Sequence, residues 1–440
     1  MTLEYLRHLV ATKGVLHALK RVGQIANRFS RGEKRFGEMI SFLESNHDFQ
    51  SVKITFCVTA CLLQRHQRVV NQLQQLGHDI ASHGYFHTDM KRKSNAEQSA
   101  IIRRTYQAFS DAKLPVIGFR CPYLSYNNHT IEALKASDYA WTSHDLIFWD
   151  TDGYDHNYDK NGLRRVLKLY HALPAKQTLS LPNLSTGLVD IPITAPDDEM
   201  LVERYRVRDP KTISEIWVGI LEKTHQRGEL FHLLFHPERF DRLSHTMAKI
   251  SRRAKELEPS IWITSLGELS KWWEERSSSK WVLEQSGSGE RMAWIQAPKG
   301  ATVLTKSEGL PGGTSAVYKT YYPAKPVADR HGELAYCAGR SKRSTIGVSR
   351  QCSKKMIEFL SGEGFCIEES DEPALHSFYL DGSETFTDRD KLSLLDKLDS
   401  SRAPLLRLWR WPNGARSAFV ISADVDSITV ADFLRRALHF

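Results

Sequence analysis

The sequence predicts an α/β protein built on a strand–helix repeat, followed by a smaller module of different pattern. From residue 36 to about 275, short β-branched runs alternate with helical stretches, as expected where strands are joined through crossover helices. The tract "SSSKWVLEQSGSGER" (277–291) then breaks that alternation. A chain of 440 residues also exceeds one ordinary compact core, so two units, or one large α/β domain with an insertion, are expected.

Taken in order, residues 1–35 hold eight Lys/Arg against two acids, with Leu6, Leu9, Val10, Leu16 and Leu19 near helical spacing. Such a segment is either a surface helix packed on a domain, the commoner case, or a basic amphipathic helix lying on an anionic membrane. "FGEMISFLESN" reads as a helix and "VKITFCVTA" (52–60) as a strand; "RVVNQLQQLG" is helical, stopped by Gly77, and "HDIASHG" is a strand entering a loop. "NAEQSAIIRRTYQAFSDA" is a helix capped at Asn95. "LPVIGFRCPY" is a strand ending in a Pro-containing loop, and "NHTIEALKASDYAWTSH" a helix then a strand. "GLVDIPIT" and "ELFHLLFHPERF" are further strands, and "SIWITSLGELSKWWEER" supplies a strand and helix. Beyond the break, "RMAWIQAP", "ATVLTK" and "SAVYKTYY" are strand-like. Residues 346–380 read strand, helix, strand, a helix follows at 388–399, and "PLLRLWRWP" and "ARSAFVISADVDS" come last.

Composition is that of a soluble globular protein, 41% apolar, 25% charged and 10% aromatic. The net charge of +8 suits an acidic glycan, a phosphate-bearing lipid carrier or a membrane surface. No nucleic-acid partner is expected, because no RNA-binding, helix-turn-helix or zinc-finger pattern accompanies the charge. Cys57, Cys61, Cys121, Cys337, Cys352 and Cys366 form no CxxC pair, so reduced thiols are expected. No apolar run reaches a membrane span, and the charged N-terminus makes a poor signal peptide. A cytoplasmic location follows as the default, with the inner membrane face open through the basic N-terminal helix.

Four short stretches carry chemistry. "GHDIASHGYFH" (77–87) sets His83 and His87 four apart just after a strand end, either a surface turn or two-thirds of a metal site. "GFRCPY" (118–123) puts Arg120 at the end of an apolar strand, a cation at a pocket mouth or a loop salt bridge. In "GELFHLLFHPERF" a Leu/Phe strand stops at His236, a core-edge histidine or a catalytic group at a strand's C-terminal end. In "ARSAFVISADVDS" an apolar strand ends on Asp424 and Asp426, whose side chains share a face and are costly there without a cation. A calcium loop would want more acidic positions and a glycine. Together the four fit one site: two histidines and a carboxylate leave an open position for water, as catalytic zinc requires. The other Asp is a base, Arg120 its electrostatic partner and His236 an acid.

These residues resemble the NodB-like polysaccharide deacetylases, carbohydrate esterase family four. The stretches that carry the likeness are "SADVDS", "SHGYFH", "RCPY", "YAWTSHDLIFWD" and "LLFHP", with "KITFCVTA" matching the strand before the His motif. Four of the five motifs match well, over most of residues 36–275 and the last thirty. The resemblance implies a distorted (β/α) barrel of NodB type with seven or so strands. It implies a metal-dependent hydrolase that removes N-acetyl groups from a glycan, either a polysaccharide or a lipid- or nucleotide-linked sugar. His83, His87 and Asp426 would bind a divalent metal, zinc above others; Asp424 would be the general base and His236 the general acid. Arg120 would hold Asp424, and the Tyr123 N–H would stabilise the oxyanion.

Three departures follow. The family's Asp motif opens its domain, whereas here it closes the chain, which implies a circular permutation. Residues 1–276 would form the main deacetylase part, 277–410 an inserted β-rich α+β module, and 411–440 the strand and helix that complete the first. "SITVADFLRRAL" loosely echoes "MTLEYLRHLV", so one deacetylase without its start, followed by the start of another, is the alternative. Thr142 stands where the family usually carries an Asp that positions the catalytic histidine, and Asp197–Asp198 could take that role. The Asp-x-Asp spacing also leaves open which carboxylate is base and which is ligand. Thr142 favours a second function, a catalytically weak glycan-binding relative; an O-acetyl esterase or non-sugar amidase is a third. Trp281, Trp294, Tyr318, Tyr321 and Tyr322 are either core or sugar-stacking residues.

Overall fold

The computed structural model describes residues 31–150, 170–285, 290–306, 315–339, 342–382 and 385–438, together with Val15, Gly23, Phe29, Leu167 and Lys168. The expected basic helix of residues 1–35 lies almost wholly outside the described residues.

The first half alternates helices and strands as expected. Helix α1 (Gly32–Ser45) buries Phe36, Met39, Ile40 and Leu43, the spacing of one helical face. Strand β1 (Ile54–Val58), helix α2 (Ala60–Gln75) and strand β2 (Asp79–Ser82) follow. Helix α3 (Asn95–Asp111) is capped one residue earlier than expected, by Ser94, in a reciprocal capping box with Glu97. Next come β3 (Gly118–Phe119), α4 (Asn128–Lys135), β4 (Trp141–Thr142), β5 (Leu146–Phe148) and β6 (Leu173–Pro174). "GLVDIPIT" divides into β7 (Val189–Asp190) and β8 (Ile193–Ala195), which join different sheets. Pro192 stands between them, and a proline has no N–H to continue a ladder.

Two helices passed over by the strand count flank β9 (Leu230–Phe235). Helix α5 (Pro210–Gln226) starts on Asp209, whose carboxylate accepts from the Lys211 and Thr212 N–H groups. Helix α6 (Phe240–Glu256) buries Phe240, Leu243, Met247, Ile250 and Ala254. Strand β10 (Ile261–Thr264) and helix α7 (Leu266–Ser278) complete this part.

The smaller module is mostly strands. β11 (Trp281–Gln285), β12 (Arg291–Gln296), β15 (Ala328–Arg330) and β16 (Glu333–Cys337) make one antiparallel sheet. β13 (Val303–Lys306), β14 (Tyr321–Pro323) and β20 (Leu406–Leu408) make a second. β17 (Arg343–Val348) lies between β18 (Ile367–Glu369) and β19 (His376–Leu380), with α8 (Lys354–Gly362) as the crossover from β17 to β18 and α9 (Asp390–Ser400) after β19. Tyr318 and Tyr321 are buried; Trp281 meets the edge of Tyr336 and Arg330 lies over Trp294.

Strand β21 (Ser417–Val425) and helix α10 (Val430–Leu438) close the described chain. Strand β21 is buried along its whole length, as a strand covered on both faces must be. It pairs in parallel with β1 over Ile421–Val425, with β9 over Ala418–Ala423 and with β10 over Ser417–Val420. The main sheet runs β10–β21–β1–β2–β3–β4–β7, with β9 also on β21. All these pairs are parallel, and the sheet curls into a half-barrel. Its strand C-terminal ends therefore share one rim, where α/β folds place ligands. His83, Arg120, His236 and the Asp424–Asp426 pair all come from that rim. Among the described residues no helix is long and apolar enough to cross a membrane.

Candidate active site

The backbone turns sharply after β2. Gly84 has φ +75°, and a Cβ there would sit 3.1 Å from the Phe86 carbonyl and 3.3 Å from Pro122, so this turn requires glycine. His83 donates from Nδ1 to the Arg120 carbonyl at 2.9 Å. A carbonyl only accepts, so Nδ1 carries a proton and Nε2 is the nitrogen left to face a ligand. That Nε2 is buried and makes no hydrogen bond. It lies 3.3 Å from Asp426 Oδ1, and His87 Nε2 lies 3.5 Å from the same oxygen. The ligand atoms of His83, His87 and Asp426 all fall within 4.8 Å of one another, and all three residues are buried.

Two imidazoles and one carboxylate are the donor set of a catalytic zinc-type site, with coordination positions left for water and substrate. The buried Nε2 of His83, which makes no hydrogen bond, is the feature that a cation would satisfy. The residues present therefore fit a divalent metal.

Arg120 is fully buried, and each of its N–H groups has an acceptor. Nε donates to the Ser143 carbonyl at 3.4 Å; Nη1 donates to Ser422 Oγ at 2.9 Å and Asp424 Oδ1 at 2.8 Å; Nη2 donates to Ser143 Oγ at 3.0 Å and faces His232 Nε2 at 3.2 Å. Asp424 is thus tied to Arg120, with its other oxygen 3.8 Å from His83 Nε2, while Asp426 sits between the histidines. The two carboxylates that the Asp-x-Asp spacing left equivalent therefore differ in their partners, Asp424 on the guanidinium and Asp426 between the imidazoles.

His236 follows β9 and is held by Asp198. Its Nδ1 lies 2.8 Å from Asp198 Oδ1, and its backbone N–H donates to Asp198 Oδ2 at 3.0 Å. Arg239 reaches the same carboxylate at 3.2 Å. Burial disfavours an imidazolium here, but the Asp198 charge and hydrogen bond outweigh it and raise His236 to about 10. Burial likewise disfavours the Asp198 carboxylate, yet His236 and Arg239 hold it below the usual range. Asp197 points elsewhere, accepting from the Met200 N–H at 2.8 Å. Thr142 donates to Asp190 at 2.8 Å.

Tyr123 and Leu124 are consecutive non-glycine residues at positive φ, +59° and +52°, a strained backbone of the kind that collects at functional sites. The Tyr123 ring stands edge-on to His87, 4.2 Å between centroids, and is 42% exposed. Among the described residues no hydrogen bond engages its N–H.

The sequence reading did not single out Ser143, His232 or Ser422. A signal existed for two of them: with a period of two, His232 shares a strand face with His236, and Ser422 shares one with Asp424.

The solved structures to which this chain is similar are distant. A protein from Mycobacterium smegmatis provisionally assigned as a polysaccharide deacetylase is 18% identical over 55% of this chain and 76% of its own, TM-score 0.40. Puue allantoinase is 15% identical over 56% of this chain and 75% of its own, TM-score 0.44. A family 4 carbohydrate esterase from Streptomyces lividans, in complex with acetate, is 17% identical over 31% and 65%, TM-score 0.22. None of the curated proteins matches. Residues 43–141 match the polysaccharide deacetylase family, so β1, His83, His87, Arg120 and Tyr123 lie within a deacetylase-like segment, and His236, Asp424 and Asp426 lie outside it.

Proposed function

We propose that this protein is a metal-dependent glycan de-N-acetylase with its site at the rim of the half-barrel. The observation that carries the reading is the convergence of His83, His87 and Asp426 beside a separate Arg120–Asp424 pair. A divalent ion, zinc foremost, would be held by those three residues and would supply Lewis-acid polarisation of the acetamide carbonyl and of water. Asp424, aimed by the Arg120 guanidinium at 2.8 Å, takes a proton from the attacking water. The Tyr123 N–H donates to the oxygen on which negative charge develops. His236, kept protonated by Asp198, gives its proton to the departing amine nitrogen, because an amide anion cannot leave at neutral pH.

The feature that would favour a binding-only relative, Thr142 in place of an acid, is offset by Asp198, which supplies a carboxylate to His236 from elsewhere in the chain. A circularly permuted NodB-type barrel is part of the proposal, with residues 277–410 as the inserted module. Its support is the docking of β21 against β1, β9 and β10 of the same chain.

The test is metal content and acetate release from N-acetylglucosamine oligomers, for the parent and for Asp426→Ala. Bound metal that is lost with Asp426, together with acetate release that disappears with it, is the expected result. Metal indifferent to Asp426, or a metal-loaded parent that releases no acetate from N-acetyl substrates, would remove the reading.

A further inference from the structure

We propose that His232 is a positioning residue that, with Ser422, aims Arg120 at Asp424; the inference rests on the deacetylase reading for its catalytic consequence, though not for its geometry. His232 lies mid-strand in β9, fully buried, and its hydrogen-bond partners are Arg120, Thr194, Pro192 and Ser422, none of them a candidate metal-holding residue.

Its hydrogen bonds select one protonation form. Nδ1 is 3.0 Å from the Pro192 carbonyl, which only accepts, so Nδ1 carries a proton. Nε2 is 3.2 Å from Arg120 Nη2 and 2.7 Å from Ser422 Oγ. The guanidinium only donates, so Nε2 must be the bare acceptor. Ser422 Oγ accepts from Arg120 Nη1 and directs its own proton to Nε2. Arg120 Nη1, Ser422 Oγ, His232 Nε2 and Arg120 Nη2 thereby close a ring of donors and acceptors on the guanidinium edge opposite Nε. Burial and the neighbouring Arg120 both hold His232 well below its ordinary pKa, in agreement with a neutral ring.

The ring matters because Asp424 takes only one of the five guanidinium N–H groups. Without an acceptor at His232 Nε2, one buried N–H of Arg120 is left unsatisfied and the plane can rotate away from Asp424. A histidine present only to fill the core would need neither this tautomer nor an acceptor atom at this place. His232→Leu keeps apolar volume and removes the acceptor; His232→Gln can place an amide oxygen near the Nε2 position.

The experiment combines two readouts on the full chain. Histidine ¹⁵N spectra, with the His232 signals assigned by their loss in His232→Gln, should report a proton on Nδ1 and a bare Nε2 down to about pH 5.5, a unit below the free imidazole. A proton on Nε2, or an imidazolium at neutral pH, overturns the proposal whatever the activity. In acetate release from N-acetylglucosamine oligomers, His232→Leu should lower kcat on the order of 10- to 100-fold, with KM and metal content unchanged, and His232→Gln should recover most of the loss. Equal loss in both variants, or an effect confined to KM or metal content, overturns it as well. A parent that binds metal yet releases no acetate overturns the deacetylase reading, and the tautomer still decides the role of His232 toward Arg120.

Discussion

Asp198→Asn is the sharpest test of the acid. In the parent, burial works against a charged His236, and the Asp198 carboxylate 2.8 Å from Nδ1 reverses that effect, lifting the imidazole to about 10. Asparagine keeps the shape and a hydrogen-bond partner but removes the charge. With His236 returned to the ordinary value of about 6.5, roughly half of it is protonated at pH 6.5 and about 3% at pH 8. Acetate release should therefore fall about twofold at pH 6.5 and about 30-fold at pH 8 relative to the parent. Burial, no longer opposed by a carboxylate, deepens both losses. A kcat profile from pH 5.5 to 9, with metal content measured alongside, reads this directly. The variant gains an alkaline limb at or below about pH 6.5, where the parent stays flat. An equal loss at pH 6 and pH 8 would mean that Asp198 orients the ring without setting its charge, and the acid assignment would lose its physical basis.

The same pair makes a statement about stability. His236, raised in the folded state, contributes stability that is complete below about pH 6.5 and is lost as pH rises through about 10. Asp198, lowered in the folded state, contributes above about pH 3.8 and loses its contribution as pH falls through its depressed pKa. Asp198→Asn should thus cost most between about pH 4 and 6.5, with about 3–5 kcal/mol as the ceiling for breaking a buried pair.

Arg120→Lys replaces a planar five-donor group with a point charge; kcat should fall on the order of 100-fold while metal content holds, and loss of metal would show that Arg120 and the histidine cluster are not separable. Glu363→Gln removes the carboxylate that receives Arg407 and Arg410, the latter at 2.6 Å. Denaturant unfolding should show a loss of about 3–5 kcal/mol that salt hardly alters, and a change under about 1 kcal/mol would mean the pair is merely a surface-type contact. Gly32→Ala would set a Cβ 1.5 Å from the Ile428 carbonyl. It should lower stability by about 1–3 kcal/mol, and an unchanged melting temperature would mean that α1 does not pack against the segment after β21.

How much of this was legible in the sequence depended on the length of the signal. The buried runs that became β1, β9 and β21 were readable because short segments rich in β-branched, Leu and aromatic residues, interrupted by only one to three polar positions, have few other fates. The strand-end positions of His83, Arg120, His236 and Asp424 were readable because each polar residue follows such a run. Two-residue strands such as β3 and β4 carry no period of their own; they exist because neighbouring strands offer them a ladder. Pairings across long sequence separations were the other blind spot. Asp198 meets His236 across 38 positions and Arg120 meets Asp424 across 304. The acidic pair 197–198 could be suspected, but only the folded chain separates them, turning Asp197 to the Met200 N–H and Asp198 to His236. Likewise, strand periodicity puts Asp424 and Asp426 on one face, and the register Cys57↔Asp424 with β1 decides which of them reaches Arg120. His232 was hidden because it lies inside an apolar strand, where a lone histidine resembles core.

The charges at the rim form a connected arrangement. Two carboxylates two positions apart at the end of a buried strand would repel each other and would be costly to desolvate. They are tolerable because their partners differ: Asp424 faces the guanidinium at 2.8 Å, and Asp426 faces two imidazoles. The hydrogen bonds of His232, a carbonyl at Nδ1 and a guanidinium at Nε2, hold that ring neutral. Arg120 then contributes one positive charge against the two negative charges of Asp424 and Asp426. The inner cluster keeps a surplus negative charge beside the buried His83 Nε2, which makes no hydrogen bond, the condition that draws a divalent cation. Were His232 charged, that surplus would vanish and Arg120 would face a second cation at 3.2 Å. The neutral histidine on β9 thus bears on both proposals: it supplies Arg120 with an acceptor, and it leaves the charge between His83, His87 and Asp426 free to attract metal.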